Sequence, residues 1–317
     1  NIIDCKGTGR CAFGCPKGAK QSTDLAYLPQ AIQNGAVLLS KTEVNHIKER
    51  AGLVEVQAVR GEKTYHFKGK KLIISAGALL TPRLLQTNKL GSAWRKAGHH
   101  LQIHPATKIF AYFPNQYIGF AGIPQGMGYR VSERPRVTLE GIHTPKSLTS
   151  PILSVGGERF NIWRSRIESL ASFGIMVRDR AVGRVIYLSG QPFLKYNLHP
   201  DDTDDLTFGL HILAEAFLAA GADSVLMPYG GIKPIEIHSV EELNKLPPIK
   251  PHHIMLSGFH PLGTAGIGRI VDTSLKLNGA ENIYICDGSV LPSSPGVNPQ
   301  VTIMALSLRL ADHLTQL

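Results

Sequence analysis

The 317-residue chain has no run of about twenty apolar residues, so no segment reads as a membrane-spanning helix. It also lacks internal repeats and low-complexity tracts. Acidic residues are few, with 24 Asp and Glu against 34 Lys and Arg, a net charge of +10. Such an excess can serve nucleic acid, a membrane surface or an anionic ligand. Yet the positive residues are scattered, and their densest knot (Lys68 to Lys71) sits before an apolar strand. No nucleic-acid motif accompanies them, so a solvated basic surface is expected and no nucleic-acid partner. The start of the chain has no signal-peptide pattern. Cytoplasmic or peripheral-membrane placement is therefore expected over integral, and Asn1 suggests a piece of a longer chain. Only four cysteines occur, three of them clustered. This is not the regular spacing of a secreted disulfide framework, and it points instead to metal or redox chemistry. Finally, no G-x-G-x-x-G occurs anywhere. The glycine pairs 7/9, 126/128 and 266/268 lack both the third glycine and a preceding strand.

What is present is a chain that is 43% hydrophobic and can bury a substantial core. STDLAYLPQAIQNG reads as a short helix disturbed by Pro29. AVLLS, EVNHIKE, LVEVQAV and TYHFK then alternate as strands do. KLIISAG, residues 71–77, is a continuous apolar run with the look of a strand buried on both faces, and ALLTPRLLQT follows as a helix. From about 105 to 251, prolines, glycines and irregular loops increase. Here IMVRDRAVGRVIYL reads as a hairpin turning at Gly183. TDDLTFGLHILAEAFLAAGA reads as a helix capped by Thr203 and closed by Gly221. Strand-then-helix alternation returns in NIYICDGS and VTIMALSLRLADHL. The two ends thus predict one α/β domain, and the middle an insertion with its own sheet. The boundaries fall at 1–104, 105–254 and 255–317.

Two C-terminal stretches concentrate the chemistry: SGFHPLGTAGIG (257–268) and CDGSVLPSSPGVNPQVTIMALSLRLADHL (286–314). An imidazole that titrates near neutral pH suits proton transfer, which favours His260. The Asn298 amide can hold an oxygen. Asn298-Pro299 also has the form of an N-cap and first residue for the last helix. With ISAGALLTPRLLQ (74–86) and HHLQIHP (99–105), these stretches resemble the glucose–methanol–choline (GMC) flavoprotein oxidoreductases over most of the chain. The resemblance implies a Rossmann-like FAD domain of α/β type, without its glycine-motif unit, and an inserted antiparallel-sheet (α+β) substrate domain. It implies FAD-dependent oxidation of an alcohol, with hydride transfer to flavin N5. His260 would be the base, and Asn298 would hold the alcohol oxygen. Val44, Ala76, Gly77, Asp287, Gly288, Asn298 and Pro299 would contact the cofactor, and His104 would be structural. The absent glycine motif implies that a separate FAD-binding segment or subunit completes the protein.

Cys5, Cys11 and Cys15 follow the pattern Cys-x5-Cys-x3-Cys-Pro. Three thiolates and a following proline suit an iron–sulfur cluster. This spacing resembles the iron–sulfur sugar dehydrogenases of the family. Its continuation, GCPKGAKQST…YLP, resembles the long-chain alcohol oxidase branch, where the thiols need not hold iron. Zinc is disfavoured because no fourth ligand is near. Two readings stay open: a metal site, or reduced structural thiols. Cys286 reads as core. The expected substrate is a hydrophobic or long-chain alcohol, and the electron acceptor is oxygen, a quinone or a cytochrome. The alternatives are a sugar or sterol dehydrogenase with a cluster relay, or a non-catalytic module.

Overall fold

A computed structural model describes residues 2–116, 124–153, 155–228 and 235–316. The chain divides into two compact units, each drawn from several stretches. One holds 39–105, 178–199 and 258–317; the other holds 1–38, 106–177 and 200–257. The second therefore takes the N-terminal 38 residues as well as the middle of the chain, and the first takes 178–199.

In the first unit, the strands Glu43–Arg50, Leu53–Arg60 and Lys63–Gly69 form an antiparallel sheet. Ala51 and Gly52 both take positive φ, as the two-residue turn joining twisted strands demands. The expected AVLLS strand is absent. A parallel pair, Leu72–Ile74 with Ile283–Ile285, carries the helices Gly77–Asn88 and Gln300–Thr315 after its two strands. Its core joins Ile74, Leu85, Ile270, Val271, Leu277, Ile283, Ile285 and Leu310. Contrary to expectation, Leu72–Ile74 is short and not buried on both faces: Ile73 is 46% exposed. Only layers packed on its faces bury such a strand, and the face that carries Ile73 is left open. The last helix buries only Leu310 fully, with Leu306 and Leu314 packed beside the core. A further sheet joins His99–Leu101, Gly183–Leu188 and Gln191–Lys195.

The second unit is built on a seven-stranded sheet. Its main path runs Ile235–Ile237, Ser224–Met227, Pro105–Tyr112, Leu170–Val177, Val137–Gly141, Gly128–Arg130. All neighbours along that path are antiparallel. The helix Pro200–Ala219 packs on it through Gly209, where a Cβ would come within 2.7 Å of Ile175. This helix starts earlier than expected, so Thr203 lies inside it, buried. Gly221 (φ +90°) closes it as predicted: the Ala222 N–H reaches back to the Phe217 carbonyl at 3.0 Å. Buried Asp202 and Asp205 are neutralised by Arg136. A second cluster gathers Phe110, Leu153, Trp163, Ile167, Leu170 and Leu226.

The hairpin expected over IMVRDRAVGRVIYL does not form. Leu170–Val177 joins the seven-stranded sheet, and Gly183–Leu188 pairs instead with Gln191–Lys195 and His99–Leu101. The connecting Asp179 turns its carboxylate to backbone N–H groups of another segment, which pulls the two strands apart.

Candidate active site

Backbone hydrogen bonds bring the sequence motifs of the first unit together. Gln102 and Leu262 exchange N–H···O bonds of 3.2 and 2.8 Å, and the His260 N–H donates to the Ile103 carbonyl at 3.3 Å. HHLQIHP and SGFHPLG are thereby paired. Gly263 makes this approach possible. Its φ is +83°, and a Cβ there would lie 2.4 Å from the His100 carbonyl oxygen. The same segment is tied to the DGSV turn, since the Ala265 and Ile267 N–H groups donate to the Ser289 and Val290 carbonyls, each at 2.9 Å.

His260 does not stand alone. Its Nδ1 lies 3.2 Å from Nδ1 of His104, and the rings meet edge to face with centroids 5.2 Å apart. His104 is 0% exposed and sits at φ +50°, an uncommon conformation for a side-chain-bearing residue. It is held there from three sides. Asp179, itself buried, accepts the Ile103 and His104 N–H groups at 2.9 and 3.4 Å. The Tyr196 hydroxyl donates to the same carboxylate at 2.9 Å. Gly296 donates its N–H to His104 Nε2 at 3.0 Å. Burial, the neighbouring His260 and the Arg178 charge push the His104 pKa down to about 4. Burial also lowers that of His260. Both imidazoles are therefore neutral at pH 7.

Gly296 belongs to the loop that delivers Asn298. Gln102 accepts the Ser294 N–H at 2.7 Å while its own amide donates to the Asp179 carbonyl at 2.9 Å. Arg178 Nε donates to the Ser294 carbonyl at 3.0 Å. The loop is thus clamped at Ser294 and Gly296, four and two residues before Asn298, whose side chain is exposed and makes no hydrogen bond among the described residues. Asn298 does not cap the helix as expected. The helix begins at Gln300 with buried Pro299 before it and no side-chain cap, so the Asn298 amide stays free.

Asp287 has a structural task. Its buried carboxylate accepts the Gly77 N–H at 2.9 Å, the Thr81 hydroxyl at 2.6 Å and the Ser289 N–H at 2.8 Å. A carboxylate at the start of the helix Gly77–Asn88 is also favoured by that helix's dipole. Ala76 joins the knot by donating its N–H to Thr81 at 3.2 Å. The fold therefore gathers Ala76, Gly77, Asp287 and Gly288. Gly288 packs so closely that a Cβ would lie 3.2 Å from Leu262. Val44 lies apart, half-buried beside a bulge in Glu43–Arg50 and packed on the core.

Cys5, Cys11 and Cys15 are in the second unit as free thiols. Among the described residues, no three His, Cys, Asp or Glu side chains form a group able to hold a metal, so the three-thiolate site is not assembled. Backbone N–H groups of Lys20 and Lys17 lower the Cys15 pKa. Cys286 is half-buried beside the core, with its sulfur 3.3 Å from the Ser307 hydroxyl.

Asp179, Gln102, Tyr196 and Thr81 were not expected as site residues. No local pattern marks them, because each acts on residues distant in sequence. Unspent polar groups remain around the same loops. The Ser289 and Ser294 hydroxyls are buried without partners, the Asn298 amide is free, and the helix Gln300–Thr315 has an uncapped start. These suit the polar, electron-accepting edge of a flavin ring. The start of Gly77–Asn88, by contrast, is already occupied by Asp287 and offers no cradle for a pyrophosphate.

Two family models, both described as GMC oxidoreductase, match residues 1–106 and 179–307. The chain belongs to the GMC oxidoreductase family, a class of FAD-dependent oxidoreductases. It is 35% identical to an uncharacterized GMC-type oxidoreductase of Mycobacterium tuberculosis (strain CDC 1551 / Oshkosh), over 99% of this chain and 51% of that protein. It is 27% identical to the long-chain-alcohol oxidase FAO1 of Arabidopsis thaliana, over 98% of this chain and 46% of that one. The chain thus spans about half the length of these curated relatives. Pyridoxine 4-oxidase from Mesorbium loti shares the fold, with a TM-score of 0.72 at 16% identity over 96% of this chain and 63% of that one. Among the described residues no helix is long and apolar enough to cross a membrane.

Proposed function

We propose that this chain carries the flavin-ring side and the reacting groups of an enzyme that oxidises a hydrophobic, long-chain alcohol with FAD. The observation that carries this reading is the clamped loop 294–298. It ties the Gly296 backbone, two residues before the free Asn298 amide, to His104 of the His104–His260 pair, and has unspent hydroxyls around it. The likeness to long-chain-alcohol oxidases along nearly the whole chain supports the substrate class.

Bound FAD would supply the hydride acceptor. The chain's own part is to hold the alcohol oxygen between His260 and Asn298, so that the carbinol hydrogen points at the ring. The uncapped start of Gln300–Thr315 would favour negative charge on a ring bound beside it. Asp287 keeps the turns of Ala76-Gly77 and Gly288-Ser289 in place beside the cofactor. The pyrophosphate would be held by a strand–glycine-loop–helix segment outside these 317 residues, in the same or another polypeptide. Electrons would then leave to oxygen, a quinone or a cytochrome.

In the FAD-loaded protein, His260→Ala should slow flavin reduction about 10²–10⁴-fold while FAD stays bound. Anaerobic stopped-flow of flavin absorbance reads both. Reduction at the wild-type rate would remove His260 from the reaction.

A further inference from the structure

We infer that the outer face of the sheet His99–Leu101, Gly183–Leu188 and Gln191–Lys195 docks the protein on an anionic lipid bilayer. Gly183–Leu188 and Gln191–Lys195 are joined by a two-residue turn, in which Ser189 and Gly190 take φ of +48° and +78°. Residues directly opposite across an antiparallel pair share a face. Leu188 therefore stands beside Gln191, Ile186 beside Phe193, and Arg184 beside Lys195, all on one face. His99 extends the last row, because it pairs with Arg184 from the other side. The opposite face is held inward: Val185 is buried, and the Tyr187 hydroxyl donates to the Leu79 carbonyl at 2.7 Å. The face of Phe193 looks to solvent, with Phe193 60% and Leu188 57% exposed.

This face sorts its chemistry by row. Leu188, Ile186 and Phe193 are apolar, whereas the next row sets the cations Arg184 and Lys195 side by side with the His99 imidazole. Like charges directly opposite in a sheet repel. Neither Arg184 nor Lys195 has an ion-pair partner among the described residues. A hollow of about 350 Å³ opens beside them, lined also by His100 and Asn197. Arg83 adds a cation at the turn, where a Cβ on Gly190 would lie 3.1 Å from its guanidinium. A phosphate drawn to the row would relieve the repulsion and accept hydrogen bonds from guanidinium, ammonium and amide together.

A bilayer is the occupant that fits both halves of the face. Successive rows lie two residues, about 7 Å, apart along the strands. Apolar side chains that enter the acyl boundary would leave the basic row level with the lipid phosphates, as an interfacial element requires. The three apolar side chains offer roughly 300 Å², well short of the roughly 800 Å² per partner that a stable protein complex buries. The docking does not rest on the proposed alcohol oxidation, but its use does. Long-chain alcohols collect in bilayers. The docked sheet also leads into the reacting groups: Leu101 is followed by Gln102 to His104, and Lys195 by Tyr196, whose hydroxyl holds Asp179.

Co-sedimentation with vesicles reads the docking without any turnover. The FAD-loaded protein is expected to sediment with vesicles of phosphatidylserine and phosphatidylcholine in equal parts, and to stay in solution with phosphatidylcholine alone. A basic residue near an anionic bilayer is worth about 5-fold in binding, so Arg184→Gln with Lys195→Gln should weaken it about 30-fold. Phe193→Ser should weaken it about 10-fold. Lys70→Gln with Lys71→Gln, in the densest basic knot of the sequence, should leave it unchanged. No sedimentation, or an equal loss from the Lys70 and Lys71 pair, overturns the inference. A dimer that Phe193→Ser dissociates would make the face a contact between copies. Inorganic phosphate that saturates the protein as tightly as the vesicles do would make the hollow a site for a free anion. Either result also overturns the docking. If the protein binds vesicles but no alcohol reduces its flavin, it is the proposed reaction that fails.

Discussion

At the scale of single residues, the buried His104 ties the stability of the fold to pH. Its folded-state pKa of about 4 lies below the ordinary 6.5, so the unfolded chain binds the extra proton first. Stability is fully present above pH 6.5 and is lost as pH falls towards 4. Between pH 7.5 and 5 this one group should cost about 2 kcal/mol. His104→Asn keeps a residue that tolerates positive φ and removes the titration. Urea unfolding at the two pH values should show a fall smaller by about that amount in the variant. Equal falls in both proteins would mean that His104 does not titrate as described. The same residue shows how far sequence reading reaches. His260 and Asn298 stood out because each lies in a dense motif. His104 is expected to be structural, and the groups that hold it, Gly296 and Asp179, approach it only in the fold. Asp287 is read from the sequence as a cofactor contact, and the fold gives its carboxylate a further task that the sequence does not show, the holding of Gly77, Thr81 and Ser289.

At the scale of elements, Gly209 decides how closely the helix Pro200–Ala219 lies on the seven-stranded sheet. Its missing side chain makes room for Ile175 and Val137, whose methyl carbons would lie 2.7 and 3.1 Å from a Cβ. Gly209→Val should therefore destabilise the protein by about 1–3 kcal/mol through overpacking, despite its smaller backbone entropy cost. A chemical denaturation midpoint unchanged from wild type would show that the helix can move away at no cost. The strands of EVNHIKE, LVEVQAV and TYHFK were legible because they alternate and are joined by tight turns. The supposed hairpin at Gly183 was not. Adjacent apolar strands look like partners until the Asp179 carboxylate is seen to draw the intervening segment elsewhere. The last helix starts one residue later than its sequence suggests, at Gln300, which leaves the Asn298 amide free.

At the scale of the whole molecule, the α/β pattern at the two ends and the antiparallel sheet between them were visible in the alternation of strand and helix. Which stretches group together was not, because the local patterns in 1–38 and 178–199 do not say which distant segments they pack on. His260 and Asn298 are proposed to serve the oxidation of a hydrophobic alcohol by FAD. The most direct test is anaerobic mixing of the FAD-loaded protein with long-chain primary alcohols, short alcohols, sugars and sterols while flavin absorbance is followed. Long-chain alcohols are predicted to bleach the flavin fastest, and His260→Ala to abolish most of that rate. No bleaching by any alcohol, or bleaching that His260→Ala leaves untouched, would rule out this role for His260 and Asn298.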